Sequence, residues 1–307
     1  MKNIFTFTFC LAFFMGISQT PSDALMMKKS ELCLAVFYQH DTWDKYWEGT
    51  LLRENQNIGI LTRNTLMPML AYGVHEKLNL MVSLPYVSTI ASGGQMAGVS
   101  GIQDLGIFAK YRLFDVQQAK GSFQAFITGG FSLPASSYLS DYMPFSLGLG
   151  AKEFSLRGIA KYEYKSGVYL RASYAYLSRT TTEAERDYYF ADKGVYTSTM
   201  DVPNAINSEL CLGSWLFDHS VQIEISGINQ KSLSGDDIRR QNQPQPTNKM
   251  NFTNGNIRLR YFPIFFKGFS LLGGYSQVFE GRNIGKSSVI TGGITYQFSI
   301  KKTVKVQ

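Results

Sequence analysis

Charged side chains recur in short segments of this chain at every second position, and the positions between them are apolar or aromatic. Successive side chains of a β-strand point to opposite faces, so this spacing places the charges on one face of a sheet. If the sheet closes on itself, its charges line a shared interior, where fixed charge favours passage of solutes of opposite sign. The predicted lumen-lining residues, nine basic and four acidic, are Arg63, Asp104, Lys110, Arg112, Arg157, Lys161, Glu163, Arg171, Arg179, Glu209, Glu224, Arg258 and Arg260.

A second interpretation of these charges stays open. Arginines and lysines can pair with acidic residues across a narrow lumen, and side chains can fill much of an interior of this size. In that case the charges hold the shape of the sheet and select no solute.

Catalytic chemistry has weak support in the sequence. A serine nucleophile needs a positioned histidine as its base, and the histidines are His40, His75 and His219. His75 and His219 fall in short predicted turns, and no serine spacing singles out a partner for His40. We therefore predict no catalytic residue and no enzyme, and keep a lipid-modifying enzyme at His40 as the least favoured hypothesis.

Metal and cofactor sites are not predicted either. The segment 234–237, Ser-Gly-Asp-Asp, could hold calcium, but a solvated loop is the favoured interpretation. The cysteines show no metal-ligand spacing. Cys10 lies in the N-terminal apolar run, so at most Cys33 and Cys211 could pair, and the sequence leaves that open.

The closing stretch 291–298, TGGITYQF, alternates an apolar and aromatic face with a small or polar one. It resembles the C-terminal strand signal of bacterial outer-membrane barrels: a polar residue, a glycine two positions later, then two aromatics spaced by one. Thr291, Gly293, Tyr296 and Phe298 fill these places, although nine residues follow. The alternative is the terminal strand of a soluble β-protein.

Composition favours the barrel. Only 17% of the 307 residues are charged, against roughly 25% in typical soluble domains, while 14% are aromatic and 28 residues are glycine. Such a composition suits a sheet that faces lipid and carries aromatic girdles. The formal net charge of +7 is scattered rather than gathered in a stripe, so nucleic acid is not an expected partner.

The N-terminus resembles a secretory signal. Lys2 precedes an apolar run over 4–17, which is too short for a comfortable transmembrane helix of ~20 residues. Small residues allow cleavage after Ser18 or after Ala24. We therefore predict a signal peptide over 1–18, with cleavage between 18 and 24, then a single barrel over 25–298 and a periplasmic tail over 299–307.

The remaining chain divides into about twelve alternating segments without helical periodicity. Long and short connections alternate strictly, as in an up-and-down barrel with long outer loops and short periplasmic turns. Pro68 predicts a bulge in the second strand. The predicted strands are 31–40, 57–73, 78–87, 104–113, 123–133, 154–164, 168–179, 206–217, 219–229, 256–262, 269–279 and 289–298. The predicted long loops are 41–55, 88–102, 134–153, 180–205 and 230–254, with 280–285 as a shorter sixth.

Within 77–113 the chain carries a strand ending in Leu-Pro-Tyr, then Gly-x-x-Asp-Leu leading into Lys-Tyr-Arg-Leu. The residues that carry this pattern are Leu84, Pro85, Tyr86, Gly101, Asp104, Leu105, Lys110, Tyr111, Arg112 and Leu113. The pattern resembles that of outer-membrane barrel channels assigned to the phenol meta-cleavage pathway. This resemblance covers about 40 residues and implies a transporter-like barrel for small organic molecules.

Together these observations predict an all-β transmembrane antiparallel barrel in the outer membrane of a Gram-negative cell. The leading hypothesis is a channel for passive passage of small organic solutes, anionic or aromatic ones among them. The alternative is a non-conducting structural or adhesive barrel. Expected partners are outer-membrane lipid, small solutes and, during insertion, the barrel-assembly machinery. Trp43, Tyr46 and Trp47 in the first long loop predict an aromatic girdle, with a ligand lip as the alternative.

Overall fold

The computed structural model describes residues 19–239 and 243–300. The predicted leader, 1–18, and residues 301–307 of the predicted tail lie outside them. The described residues contain strands and loops but no α-helix. None of them forms a helix long and apolar enough to cross a membrane.

Twelve antiparallel strands form one closed sheet, which confirms the predicted fold. Two of these strands are interrupted briefly, and each is counted here as one. In chain order the strands are β1 (Glu31–Trp43), β2 (Leu61–His75), β3 (Leu78–Ser83 and Tyr86–Ala91), β4 (Val99–Ile102 and Asp104–Gln117), β5 (Gly121–Pro134), β6 (Glu153–Tyr164), β7 (Val168–Arg179), β8 (Ala205–Leu216), β9 (Val221–Ser232), β10 (Asn251–Tyr261), β11 (Phe269–Arg282) and β12 (Ser288–Ser299).

Each strand pairs with the next along the chain, and β12 closes the sheet on β1. The closing register runs from Glu31 opposite Ser299 to Thr42 opposite Ser288. Closure leaves no open edge, and an open edge in hydrocarbon would cost several kcal/mol for each unpaired backbone group. We call the end with the short turns the inner end and the end with the long loops the outer end.

The two faces of the wall have the polarity that the alternation predicts. In β1, Leu34 and Val36 are exposed on the outside, while Cys33 and Ala35 are buried inside. The same alternation recurs around the barrel, so exposed leucine, isoleucine, valine and tyrosine side chains cover its outer surface. This apolar exterior is the pattern of a barrel that faces lipid.

Strand and loop boundaries differ from prediction mainly at the outer end. β1 continues to Trp43, and β3 and β4 use much of the predicted loop 88–102. Two predicted loops contain small hairpins of their own, which lack the length that makes alternation recognisable. The paired segments are Lys45–Glu48 with Leu51–Glu54, Thr181–Glu183 with Thr199–Asp201, and Tyr189–Ala191 with Lys193–Val195.

The predicted bulge at Pro68 is wrong. Leu66 pairs with Tyr86 and Met69 pairs with Ser83, so two residues separate these pairs on either strand and none is inserted. Pro68 instead lies opposite the interruption of β3, where the Leu84 N–H still donates to the Pro68 carbonyl at 3.2 Å. The register shift of β2 falls between Gly73 and His75, next to the turn.

An arginine on the outer wall tests the assignment of faces. Ile225 is 58% exposed near the middle of β9, and Ile225→Arg should destabilise the barrel in lipid vesicles by roughly 2–4 kcal/mol. Tyr196→Arg, at an outer-loop residue that is 86% exposed, should change stability by no more than ~0.5 kcal/mol. Equal effects in urea unfolding from vesicles would contradict the assignment.

Candidate functional site

The inner half of the lumen is occupied by residues 19–30, which we call the plug. Ala24 packs against Phe126 of β5, and Met27 packs against Cys33 of β1 and Met81 of β3. These contacts lie on three different strands, so the plug is held by the wall around it. The sequence analysis did not predict it, because 19–30 shows no periodicity and was divided between leader and barrel.

A buried ion pair fixes the plug to the wall. The Lys110 ammonium donates to the Asp23 carboxylate at 2.8 Å, and it also donates to the backbone carbonyls of Asp23 and Thr20 at 2.7 and 2.5 Å. The exposed fractions of the Lys110 and Asp23 side chains are 0% and 5%. The same carboxylate accepts from the backbone N–H groups of Thr20 and Leu25, so one lysine holds one turn of the plug.

A chain of charges leads from the plug to the middle of the lumen. Arg171 donates to the Ser22 carbonyl at 2.6 Å and to both carboxylate oxygens of Glu209 at 3.1 Å. It also reaches Glu224 at 3.3 Å, and Glu224 accepts from Arg258 at 3.2 Å on its other side. These four predicted lumen residues therefore pair with one another inside the barrel.

The remaining predicted lumen residues also have partners. Arg157 donates to Ser173 and Asn207, whereas Lys161 pairs with Glu163 at 2.5 Å. Arg260 is buried at the inner end of β10 and donates to Gln222 at 3.3 Å.

At the outer end, Arg179 pairs with Glu153 at 2.8 Å. There the Asp104 carboxylate accepts from the Tyr138 hydroxyl at 2.5 Å. Arg112 is an exception to the interior placement. It pairs with Asp115 at the inner rim and donates to the backbone of the β2–β3 turn.

Acidic residues that the sequence analysis did not count bring the interior close to charge balance. Asp23 enters with the plug, Glu31 and Asp41 lie near the two ends of β1, and Glu153 begins β6. They were missed because they stand at strand ends or outside the strands, where alternation is weakest. Any charge preference must therefore come from local placement rather than from a general basic excess.

The loop over 135–152, between β5 and β6, folds into the outer half of the lumen. Phe145 is fully buried against Ile58 and Leu61, and its carbonyl accepts from the Thr89 hydroxyl at 2.8 Å. Arg63 donates to the backbone carbonyls of Ser146, at 3.0 Å, and Leu147. Arg63 thus fixes this loop with its guanidinium.

Two cavities lie in series above the plug. The outer vestibule has a volume of about 1040 Å³ and is lined by Trp43, Tyr46 and Met96 together with charged residues. The central chamber has a volume of about 360 Å³ and a mainly polar wall. Asp41 and Arg63 line both cavities, so they stand at the junction.

The first-loop aromatics form a lip rather than the favoured girdle. Trp43 and Tyr46 line the vestibule, with their ring centroids 6.2 Å apart. Trp47 is buried against Gly281, inside the outer-loop layer. Trp43 ends β1 and Tyr46 lies in the hairpin that follows, so the two rings meet at the vestibule in a tertiary arrangement that has no local sequence signal.

The closing-strand residues divide between the faces. Thr291 lines the chamber, and a side chain at Gly293 would collide with the ring of Phe37. Tyr296 and Phe298 point outward near the inner end, with ring centroids 5.6 Å apart. They supply the exposed aromatics expected of an interfacial girdle.

The histidine and cysteine candidates find no reactive partner in the described part of the chain. The His40 ring contacts the Asn64 amide oxygen, 2.8 Å from Nδ1, and the described residues show no hydrogen bond between this ring and a serine. Cys33 and Cys211 are buried free thiols.

The segment 234–237 joins outer loops through hydrogen bonds and an ion pair. Asp236 accepts from Thr247 and Asn248, so hydrogen-bond donors already surround its carboxylate. The described residues contain no group of acidic, histidine or cysteine side chains that could hold a metal ion. Asp237 forms a bidentate pair with Arg282, at 2.7 and 2.5 Å, beside the vestibule rim.

Known proteins resemble the chain in fold. No protein-family model and no curated protein matches it. An outer membrane channel of Pseudomonas putida F1 superposes with a TM-score of 0.72 at 15% identity, over 92% of this chain and 100% of that one. The translocator domain of the autotransporter NalP from Neisseria meningitidis superposes with a TM-score of 0.50 at 13% identity, over 90% and 91%. At these identities the likeness establishes the barrel fold alone.

The Arg63 contacts predict that this side chain restrains the loop 135–152. Arg63→Ala removes two charge-assisted hydrogen bonds, each worth roughly 1.5–3 kcal/mol, so amide hydrogen exchange in 135–152 should accelerate at least about tenfold. Arg53→Ala, which loses only a pair with Glu48 at the same vestibule, should leave that exchange unchanged. Unaltered exchange in Arg63→Ala would contradict the restraint.

The ion pair between Asp237 and Arg282 predicts that stability depends on pH. Hydrogen bonding to Arg282 lowers the pKa of Asp237 to about 2. Because the folded value lies below the ordinary 3.8, the stabilisation is present above about pH 4 and is lost as pH falls through about 2. Carboxyl ¹³C titration of Asp237 should show this pKa, and Arg282→Gln should return it toward 3.8. An ordinary Asp237 pKa in the native protein would contradict the ion pair with Arg282.

Proposed function

We propose that this protein is an outer-membrane channel for passive passage of small organic solutes, anionic or aromatic ones among them. The observation that carries the proposal is a closed barrel, apolar outside, whose polar interior holds two cavities in series. A wall of this kind suits a bilayer, and cavities lined by fixed charges and amides suit solute passage. The Pseudomonas putida protein that shares the fold is an outer membrane channel, which supports the same assignment.

The proposed route starts at the outer vestibule. Trp43 and Tyr46 offer ring faces to apolar or aromatic solutes, while acidic and basic side chains on the same wall, Arg63 among them, offer polar contacts. Past Asp41 and Arg63 the solute enters the central chamber. The resemblance of 77–113 to channels of an aromatic degradation pathway agrees with this choice of solutes.

The plug controls the inner half of the route in this proposal. In this structure, residues 19–30 lie between the chamber and the inner end and contact the wall through buried side chains. Conduction therefore requires its displacement, and the Asp23–Lys110 pair opposes that displacement. Removing one partner of a buried pair typically costs about 3–5 kcal/mol, enough to shift such an equilibrium by more than a hundredfold.

Conductance in planar bilayers tests the proposal. The native protein should open rarely, whereas Asp23→Ala should raise the open fraction at least tenfold, since Lys110 loses its counter-charge. Asp115→Ala breaks an ion pair at the inner rim without touching the plug and serves as the matched control. Folded protein that never conducts, in the native form and in Asp23→Ala, would remove the channel assignment.

We also propose that the mature chain begins at Gln19. The plug needs Thr20, Ser22 and Asp23 for its contacts with Lys110 and Arg171, and cleavage after Ala24 would remove them. The proposed location is the outer membrane, reached by export and barrel assembly. Intact-mass measurement of protein from the outer membrane should give a chain starting at Gln19; a start at Leu25 would contradict the proposal.

A non-conducting structural or adhesive barrel is the second candidate. The filling of the inner lumen by the plug and by paired charges favours it. Under this function, Asp23→Ala would lose stability without gaining conductance, so the same bilayer experiment separates the two.

A further inference from the structure

The central chamber has the size and wall chemistry of a binding site for one small molecule. Its volume of about 360 Å³ falls within the range of small-molecule pockets, roughly 300–1,000 Å³. Five strands, β1, β2, β10, β11 and β12, supply most of its polar side chains. Because the wall is sheet rather than loop, these groups are held in fixed positions.

Positive charge predominates among the side chains that face this chamber. Its charged residues are Arg63, Arg258 and Asp41. The Asp41 carboxylate accepts from the Ser287 hydroxyl at 2.6 Å, and Arg63 uses two nitrogens on loop carbonyls. Arg258 is therefore the cation that remains most available for a ligand.

The geometry of Arg258 fits an anion contact. Its side chain is 31% exposed, and its hydrogen-bond acceptor in the described part of the chain is Glu224, reached by one terminal nitrogen. A guanidinium has five N–H donors in a planar fork that matches a carboxylate. Glu224 accepts from Arg258 through one carboxylate oxygen and from Arg171 through the other, so it engages only one terminal nitrogen of Arg258.

The other residues of the chamber wall indicate which further groups an anionic ligand would carry. The amides of Gln39, Asn254 and Asn256 can bond a hydroxyl or a carboxylate oxygen. Ile228 and Leu272 each add an apolar side chain to the lining, so the chamber can also contact a short branched body.

We infer that the central chamber binds a small organic carboxylate, with Arg258 as its anion contact and the amides as contacts for a neighbouring hydroxyl. This inference rests on the proposed function, because it names the solute class that the channel would hold on its way inward. It assigns discrimination to one residue of the wall rather than to the overall charge of the lumen.

The test compares two ligands of nearly the same shape, one anionic and one neutral. 2-Hydroxy-3-methylbutanoate offers a carboxylate, a hydroxyl and a branched apolar body, and its primary amide is the neutral match. Calorimetric titration of the folded native protein should show at least tenfold tighter binding of the carboxylate. Arg258→Gln should abolish this preference and leave binding of the amide unchanged, whereas Arg258→Lys should retain part of it.

Two further variants keep the outcome decisive. Arg112→Gln removes a guanidinium at the inner rim, outside the chamber, and should bind both ligands as the native protein does. Ser276→Leu fills the chamber without altering an ion pair and should weaken both ligands. Equal binding of carboxylate and amide by the native protein, or an undiminished preference in Arg258→Gln, would overturn the inference.

Binding and conduction are measured separately, so the two proposals can fail separately. Selective binding without conductance in any variant would refute the channel and leave the site standing. Conductance without selective binding would refute the site and leave the channel standing.

Discussion

The interior of this barrel depends on how buried charge is neutralised. Lys110 projects from the wall into a fully buried position, where an ammonium without a counter-charge costs several kcal/mol. Its carboxylate partner among the described residues is Asp23, which lies in a segment outside the sheet. This ion pair positions residues 19–30 together with the apolar contacts of Ala24 and Met27, and Arg171 adds a hydrogen bond to Ser22.

The lumen contains three regions from the inner end to the outer end, and their contacts differ: the plug, the central chamber and the outer vestibule. Near the inner end, the plug and the wall are joined by an ion pair and by apolar contacts. Above them, Arg258 and Glu224 separate the plug from a polar chamber, and Arg63 holds the loop 135–152 at the junction with the vestibule. In the proposed channel, a solute would meet aromatic rings first, then the guanidinium of Arg63, and last the ionic contacts of the plug.

The sequence predicts the strands of the barrel wall far better than the segments that fold into the lumen. Alternation is a local property with period two, so it correctly assigns faces, twelve strands and the order of long and short connections. Alternation does not show how far along the barrel a residue lies. Arg112 shares the face of Lys110 but lies two residues, about 7 Å, nearer the inner end, beyond the first residue of β3, and its side chain reaches the rim. The contact of Asp23 with Lys110 and the position of Trp43 at the vestibule join segments that are distant in sequence. No sequence periodicity links such segments, so alternation cannot predict these contacts.

The most direct test of the account is the accessibility of Cys33, which Met27 of the plug covers together with Ala71 and Met81. In a Cys211→Ser background, a water-soluble maleimide should modify Cys33 in folded protein at least a hundredfold more slowly than in urea-unfolded protein. Adding Met27→Gly should expose the thiol and accelerate its modification. Rapid labelling of Cys33 in the folded protein with Met27 intact would show that the plug does not occupy the lumen, and the account would fail.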